Sequence, residues 1–246
     1  MEVHHHPKIE KKKFKEYFLE FLMIFLAVTM GFFAEQIREH ISDREREKEF
    51  MKSLVKDVRD DMSIINEQQK IYEERLVLLD SLIEILNATS IPSKTNDLYY
   101  YARLATKNLV FQANTRTIDQ MKNAGGFRVI KNDQVATNIM SYYSVLPQIK
   151  SLEETEDGEE NEYRKIAVQV FNAVVFNRIN STVAVIRPDS NPPLRTSDKK
   201  LLADMSGWVH YIKNTRIGIY QYKKVVLRKG EELIREIKNE YHLENE

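Results

Sequence analysis

The sequence predicts an all-α protein in which an N-terminal transmembrane helix continues into a long helical stalk that carries an extracytoplasmic antiparallel helical bundle. Three observations support this fold class. Gly and Pro, at 7 and 6 of 246 residues, are too scarce for a turn-rich fold. Residues 17–34 form an unbroken apolar run, and two long heptad repeats follow, one from Met51 onwards and one near the C-terminus.

The apolar run, YFLEFLMIFLAVTMGFFA, has the length and composition of a membrane-spanning helix. At about 1.5 Å rise per residue it reaches close to the ~30 Å hydrocarbon thickness of a bilayer. Its apolar residues cover every face, whereas a surface helix of a soluble domain has a polar stripe. The single charge, Glu20, lies in the first turn, where it reaches the headgroups. A contact with an intramembrane partner is the alternative for Glu20.

Charges on the two sides of the run predict its orientation. Five lysines precede it: Lys8, Lys11, Lys12, Lys13 and Lys15. The charges after it are mixed, so the N-terminus is expected in the cytoplasm. A cleaved signal peptide needs small residues at its cleavage site, and Phe32 stands at the minus-three position, so we expect the anchor to stay. The predicted segments are a cytoplasmic tail (1–16), a transmembrane helix (17–34), a helical stalk (35–50) and a periplasmic bundle (51–246).

One helix is predicted to continue from the membrane into the bundle, because neither Gly nor Pro occurs between Phe32 and Ile91. The first heptad repeat lies on this helix. Its seam positions alternate in steps of four and three: Met51, Val55, Val58, Met62, Ile65, Gln69, Tyr72, Leu76, Leu79, Ile83 and Leu86. Such a seam packs against another helix.

The second repeat predicts a C-terminal helix of similar length, with Ser197 or Asp198 as its N-cap. Its seam positions are Leu201, Met205, Trp208, Ile212, Thr215, Ile219, Tyr222, Val226, Lys229, Leu233 and Ile237. Burying both seams is simplest if the two helices lie side by side and antiparallel. Gly218 and Gly230 are expected where helices approach closely.

Shorter helices are predicted between the two long ones. Residues 98–111 have helical spacing, and Asn132 is expected to cap a helix that Pro147 kinks or ends. Thr117 and Gln120 match a capping box, and their helix should end at Gly125-Gly126.

The stretch 151–162 holds seven carboxylates around Gly158, and we expect it to be a solvated turn rather than a calcium site. A helix over 162–176 and an extended, proline-rich loop over 182–198 are expected to follow.

Composition and motifs exclude several functions. Lys plus Arg and Asp plus Glu both number 37, so no net charge recruits nucleic acid. The absence of cysteine removes thiol nucleophiles and thiolate metal sites. Phosphate-loop, serine-hydrolase and zinc-protease motifs are missing, and the run His4–His6 resembles a chance run or tag remnant. We therefore expect no enzyme, no cofactor and no catalytic or metal-binding residue.

The membrane-proximal half of the first seam suggests an interaction surface. Phe50 and Leu54 lie beside Met51 and Val58, and with only two helices at that level they would form an exposed apolar patch that a second copy covers. Gln69 interrupts the seam, as polar residues do that fix helix register or oligomeric state, although a neighbour or a water would satisfy it equally well. Tyr99–Tyr101, Tyr142 and Tyr143 are expected in packing contacts, with a ligand pocket as the alternative.

Three sequence strings carry a resemblance: the anchor FLMIFLAVTMGFFAEQIREH, then EKEFMKSLVKDVRDDM, and TIDQMKNAGGFRVIKN with the later IMSYYS. They resemble a family of uncharacterised bacterial single-pass, membrane-anchored helical proteins, over the anchor and the first two-thirds of the chain. The resemblance implies a bacterial inner-membrane location and supplies no catalytic residue.

Two functional classes remain at this point. We expect a non-enzymatic, membrane-anchored periplasmic structural or accessory protein that contacts the lipid bilayer and binds either a second copy or another membrane protein. The alternative is a periplasmic ligand-sensing bundle that signals through a separate membrane partner.

Overall fold

The computed structural model describes residues 14–89, 92–123, 125–181 and 184–243. In these residues all regular secondary structure is helical, except for one isolated antiparallel bridge between Asn180 and Val185. The all-α prediction is therefore confirmed. The chain divides into two compact units, Met1–Phe50 and Met51–Glu246.

The first unit contains the start of α1, the helix Phe14–Leu86. Among the described helices, α1 is the one long and apolar enough to cross a membrane, and none of its most apolar 18-residue window is buried. Phe21 and Phe32, for example, are 63% and 69% exposed. Within α1 there is no proline, and no glycine follows Gly31. The helix therefore continues without interruption, as the sequence predicted. At the end of this unit Glu47 and Phe50 are buried.

The second unit holds the rest of α1 and six further helices. They are α2 (Thr95–Leu104), α3 (Arg116–Asn123), α4 (Asp133–Tyr143), α5 (Leu146–Val170), α6 (Ala173–Ile179) and α7 (Lys199–Tyr241). Short 3₁₀ turns precede α2 and α4, at Pro92–Lys94 and Gly126–Val129.

Two predicted N-caps are confirmed. The side chain of Asn132 accepts hydrogen bonds from the backbone N–H groups of Gln134 (2.9 Å) and Val135 (3.3 Å). Asp198 accepts in the same way from Lys200 (2.8 Å) and Leu201 (3.0 Å). Each cap satisfies N–H groups that the first helical turn leaves without an internal partner.

Side-chain contacts join α1 to α7 along the second unit. Asn87 Nδ2 donates to Ser206 Oγ over 2.7 Å, and Lys223 Nζ donates to Tyr72 OH over 3.2 Å. Gly230 lies against Val58 and Met62. Along this row of contacts, the residue numbers therefore increase on α7 while they decrease on α1. Seam residues such as Leu79, Ile212 and Ile219 are fully buried, whereas the predicted seam residue Tyr222 is 39% exposed.

The acidic stretch 151–162 is not a solvated turn, as the sequence suggested. It lies inside α5, where Gly158 is a mid-helix residue and Glu156 and Glu160 are buried. Pro147 lies in the first turn of this helix, which begins at Leu146, instead of kinking or ending the preceding one, because proline lacks only an N–H that the first turn does not use.

Other boundaries also differ from the prediction. The helix predicted over 98–111 ends at Leu104, and the one predicted over 162–176 breaks at Phe171, after which Asn172 caps α6 through Val174 N–H. The capping box is wrong, because Thr117 donates to Asp57 of α1 instead of capping its own helix. The left-handed Gly125 (φ 66°) follows α3, where the sequence predicted its end.

Candidate functional site

A buried charged cluster centres on Arg216 of α7. Its Nε donates to Glu156 Oε1, and its Nη2 donates to Glu160 Oε1 (3.0 Å), to Ala105 O (2.7 Å) and to Asn108 Oδ1 (3.1 Å). Arg216 and both carboxylates are at most 5% exposed in their side chains. The spacing of four residues puts the two glutamates on one face of α5, towards α7 and the loop after α2.

The Arg216 cluster is not fully satisfied. Arg216 Nη1, Glu153 Oε1 and Glu159 Oε2 are buried without a hydrogen-bond partner within the described part of the chain. Burial raises the pKa of Glu153 and of Glu159. The desolvation cost of a buried ion pair can exceed its Coulombic gain, and in some proteins such a pair selects one packing arrangement. We interpret the cluster as a device that fixes how α5 and α7 pack.

Lys223, seven residues beyond Arg216, forms a second buried contact. Its Nζ donates to Gln68 Oε1 over 2.9 Å and lies 4.5 Å from the centre of the Tyr72 ring. Phe111 covers the ammonium from another side at 5.5 Å. Burial lowers the pKa of Lys223 to about 8. The Gln68 oxygen, the Tyr72 hydroxyl and the rings of Tyr72 and Phe111 thus take the place of the water that normally surrounds a lysine ammonium group.

Two buried aspartates of α1 hold the segment around α3. Asp57 accepts from Thr117 N–H (3.2 Å), from the Thr117 hydroxyl and from Arg116 Nη2 (3.0 Å). Asp61 accepts from Asn114 N–H (2.8 Å) and from Tyr142 OH (2.9 Å). Burial raises the pKa of Asp61 to about 6. These bonds show that chain segments other than α7 also cover the first part of the α1 seam.

That enclosure corrects the predicted interaction surface. Met51, Leu54 and Val58 are 0% exposed and Phe50 is 7% exposed, so none of them forms the exposed patch expected from the sequence. The prediction assumed two helices at this level, whereas the bonds of Asp57 and Asp61 bring further chain onto this part of α1. Gln69 is half-buried, and its neighbour Gln68 makes the bond to Lys223.

The tyrosines serve mainly in packing. Tyr99 and Tyr142 are fully buried, and Tyr99 OH donates to Pro193 O (3.0 Å) and accepts from Asn172 N–H (2.9 Å). Arg187 lies over the rings of Tyr100 and Tyr101, at 4.6 and 5.2 Å. No group of three or more His, Asp or Glu among the described residues is placed to hold a metal ion. The run His4–His6 lies outside the described residues.

A cationic groove of about 350 Å³ opens between α1 and the end of α7. Its lining residues are Lys52, Ser53, Val55, Lys56, Arg59, Lys238 and Leu243. Leu243 is brought there by His242, whose left-handed backbone (φ 51°) ends α7 and lets Leu243 N–H bond back to Lys238 O over 3.1 Å. Four basic and two apolar residues therefore line one concave surface, which no sequence motif predicted.

The described residues form a helical protein with an exposed apolar segment, buried charged clusters and a groove lined by basic residues. No protein-family model matches the sequence, and neither a curated protein nor a solved structure does so.

Proposed function

We propose that this protein is anchored in the bacterial inner membrane by residues 17–34 and that its bundle acts in the periplasm as a non-enzymatic structural or accessory domain. The observation that carries the anchor is the exposure of the whole apolar window of α1. A soluble protein does not normally leave a contiguous apolar surface of this size in water. The hydrocarbon core of a lipid bilayer would solvate this apolar surface.

Two other interpretations of such a helix have less support. The core helix of a soluble protein would be buried, whereas none of this window is. A cleaved signal sequence has small residues at the minus-three and minus-one positions, whereas Phe32 occupies minus-three relative to Ala34. The lysines before the run support a cytoplasmic N-terminus, which assigns the bundle to the periplasm.

For the bundle we propose an antiparallel arrangement of α1 and α7. It is supported by the opposite order of contacting residues along the two helices, from Asn87–Ser206 to Tyr72–Lys223. Since this arrangement uses the heptad seams inside one chain, a second copy or another protein must contact a different surface.

Exposed apolar residues near the middle of the bundle provide such a surface. Ile64 and Ile71, 39% and 40% exposed, lie one turn on either side of Gln68 on α1. The Nε2 of Gln68 donates to the backbone O of Val110 (3.0 Å), and Val110 is 75% exposed. Confinement to a membrane would raise the local concentration of any partner, so a modest patch suffices.

A photo-crosslinking amino acid at Ile71, in the full chain in living cells, tests the binding role. We expect a discrete adduct, either with a second copy or with one other membrane protein. The same amino acid at Lys165, an exposed α5 residue paired with Glu162, is the control and should give none. The absence of an adduct at Ile71, or equal adducts at both sites, would contradict the accessory role.

The cationic groove favours a second candidate function, a ligand-sensing bundle that passes its signal to a separate membrane protein. The groove is lined by four basic and two apolar residues, a composition that suits a small anionic ligand.

A further inference from the structure

We propose that residues 105–111 form a strap that is held over the buried charges of α5 and α7 in acid and opens towards neutral pH. This segment follows α2 and belongs to no helix. Its two ends, Ala105 and Phe111, are buried, whereas the five residues between them are half-buried or exposed. A segment with so few buried apolar contacts has low local stability, so it can open while the rest of the bundle stays folded.

Cations from α1 and α7 hold the backbone of the strap at alternate residues. The donor and acceptor pairs are Arg216 Nη2 to Ala105 O (2.7 Å), Arg75 Nη1 to Lys107 O, and Lys223 Nζ to Leu109 O (3.4 Å). In a helix or a sheet these oxygens would accept from backbone N–H groups, and here charged side chains replace those donors. Opening the strap therefore breaks bonds to ionised side chains and leaves the helices intact.

The carboxylates of α5 connect the strap to titration. Arg216 Nη2 also donates to Asn108 Oδ1 of the strap (3.1 Å) and to Glu160 Oε1 (3.0 Å). Glu153 accepts from the backbone N–H of Phe111. The same guanidinium thus bonds to the strap and to Glu160, so that release of the strap admits water to both.

Burial raises the pKa of Glu160 to about 7. A carboxyl whose pKa is raised by burial stabilises the closed strap when it is protonated, and this stabilisation is lost as pH rises through 7. The ionisable groups that face Glu160 are Arg216 from α7, Arg75 from α1, and Glu156, Asp157, Tyr163 and Arg164 on α5. The two arginines on α7 and α5 lower the pKa of Glu160, but burial is the larger effect.

Other buried groups do not reverse this dependence below pH 7. Burial lowers the pKa of Lys223 to about 8, so its ammonium group keeps most of its proton in this range. Glu153 and Glu156 of α5 face Lys223, and burial raises the pKa of Glu153 as it does that of Glu160. Acid therefore favours the closed strap at both carboxylates.

Opening of the strap would also displace Val110, which belongs to the exposed apolar surface with Ile64 and Ile71. Gln68 connects this surface to the buried charges, because its Nε2 donates to Val110 O (3.0 Å) while its Oε1 accepts from Lys223 Nζ (2.9 Å). Control of this surface by the strap rests on the proposed binding role, whereas the opening itself does not.

Labelling of a buried thiol in the full chain, held in nanodiscs of zwitterionic lipid, measures the opening. Ala105→Cys places the thiol at the start of the strap, and Ala102→Cys is the matched control inside α2, where the alanine is 2% exposed. The rate of reaction with a maleimide at each pH is divided by the rate for the same variant unfolded in urea. This division removes the effect of pH on the thiol itself.

We expect the corrected rate of Ala105→Cys to rise about fourfold from pH 5.5 to pH 7.0, within the tenfold that one pKa unit allows. Ala102→Cys should react more slowly and without this rise. Adding Glu160→Gln to Ala105→Cys should remove most of the rise, because glutamine does not ionise. Equal rates in the two alanine variants, a rate that does not rise with pH, or a full rise in the presence of Glu160→Gln would overturn the proposal. If Glu160→Gln does not fold, the two alanine variants still decide the result.

The photo-crosslinking amino acid at Ile71 tests control of the binding surface. In cells held at pH 5.5 the adduct yield should exceed that at pH 7.0, because the closed strap keeps Val110 in this surface. Equal yields would refute control by the strap, and absence of adducts at both pH values would refute the proposed binding role. The labelling rates alone decide whether the strap opens, so the two failures are distinguishable.

Discussion

Replacing Gly230 by alanine tests the close contact between α1 and α7. A Cβ at position 230 would lie 2.8 Å from Met62 Sδ, 3.1 Å from Val58 Cγ1 and 3.2 Å from Met62 Cγ. The sulfur is near the flexible end of its side chain and can move, but the β-branched Val58 has little rotamer freedom. The added methyl therefore forces the helices apart or distorts the packing of the seam.

Gly207 provides the matched control, because it lies in the same helix and a Cβ there would have no heavy atom within 4 Å. Both substitutions gain about 1 kcal/mol of helix propensity. Only Gly230→Ala also incurs overpacking, which costs about 1–3 kcal/mol. The two variants should therefore differ in free energy of unfolding by about 1–3 kcal/mol, with Gly207→Ala the more stable.

Urea unfolding of the full chain in a neutral detergent, followed by circular dichroism at 222 nm, measures this difference. Adding Met62→Ala to Gly230→Ala should remove part of the overpacking, so a double-mutant cycle should show favourable coupling between the two positions. If Gly230→Ala stabilises the protein as much as Gly207→Ala does, the close approach of α1 and α7 is refuted.

Three further predictions concern the buried charges and α5. Arg216→Met should lower the free energy of unfolding by about 3–5 kcal/mol in urea titrations, because Glu156 and Glu160 lose their buried cation; no change would show that the cluster is solvated. Asp61 has a folded-state pKa raised to about 6, so the stability that it contributes is present at low pH and is lost as pH rises through 6. Comparing parent with Asp61→Asn from pH 4 to 8 should show this loss, up to about 3 kcal/mol, only in the parent, and parallel curves would contradict it. Gly158→Ala should raise stability by about 0.5–1 kcal/mol, because residue 158 is a mid-helix position with no heavy atom within 4 Å of an added Cβ; a loss would favour the turn that the sequence suggested.

Local sequence rules predicted the long helices and several of their ends. Heptad spacing and the absence of proline indicated α1 and α7, and Asn132 and Asp198 were identified as caps. The predicted close approach at Gly230 agrees with its contacts to Val58 and Met62. These features depend on neighbours within a few residues, or on one repeated spacing, which a sequence displays directly.

Features that depend on distant partners were missed. The carboxylates of α5 resembled a solvated loop because their cation, Arg216, lies 60 residues from Glu156 along the chain. Asp57 and Asp61 also bond to residues more than 50 positions away, and without those bonds the adjacent seam appeared open. The cationic groove requires residues from both ends of the bundle chain, and no local motif contains them.

Site-specific labelling tests the membrane anchor and its orientation most directly, because a chain without cysteine gives single-cysteine variants with one reactive thiol each. Lys165→Cys on the exposed surface of α5 and Glu10→Cys before the apolar run would be treated with a membrane-impermeant maleimide in intact cells. We predict that Lys165→Cys is labelled at once and Glu10→Cys only after the cells are lysed. Labelling of Glu10→Cys in intact cells, or protection of Lys165→Cys, would contradict the periplasmic bundle.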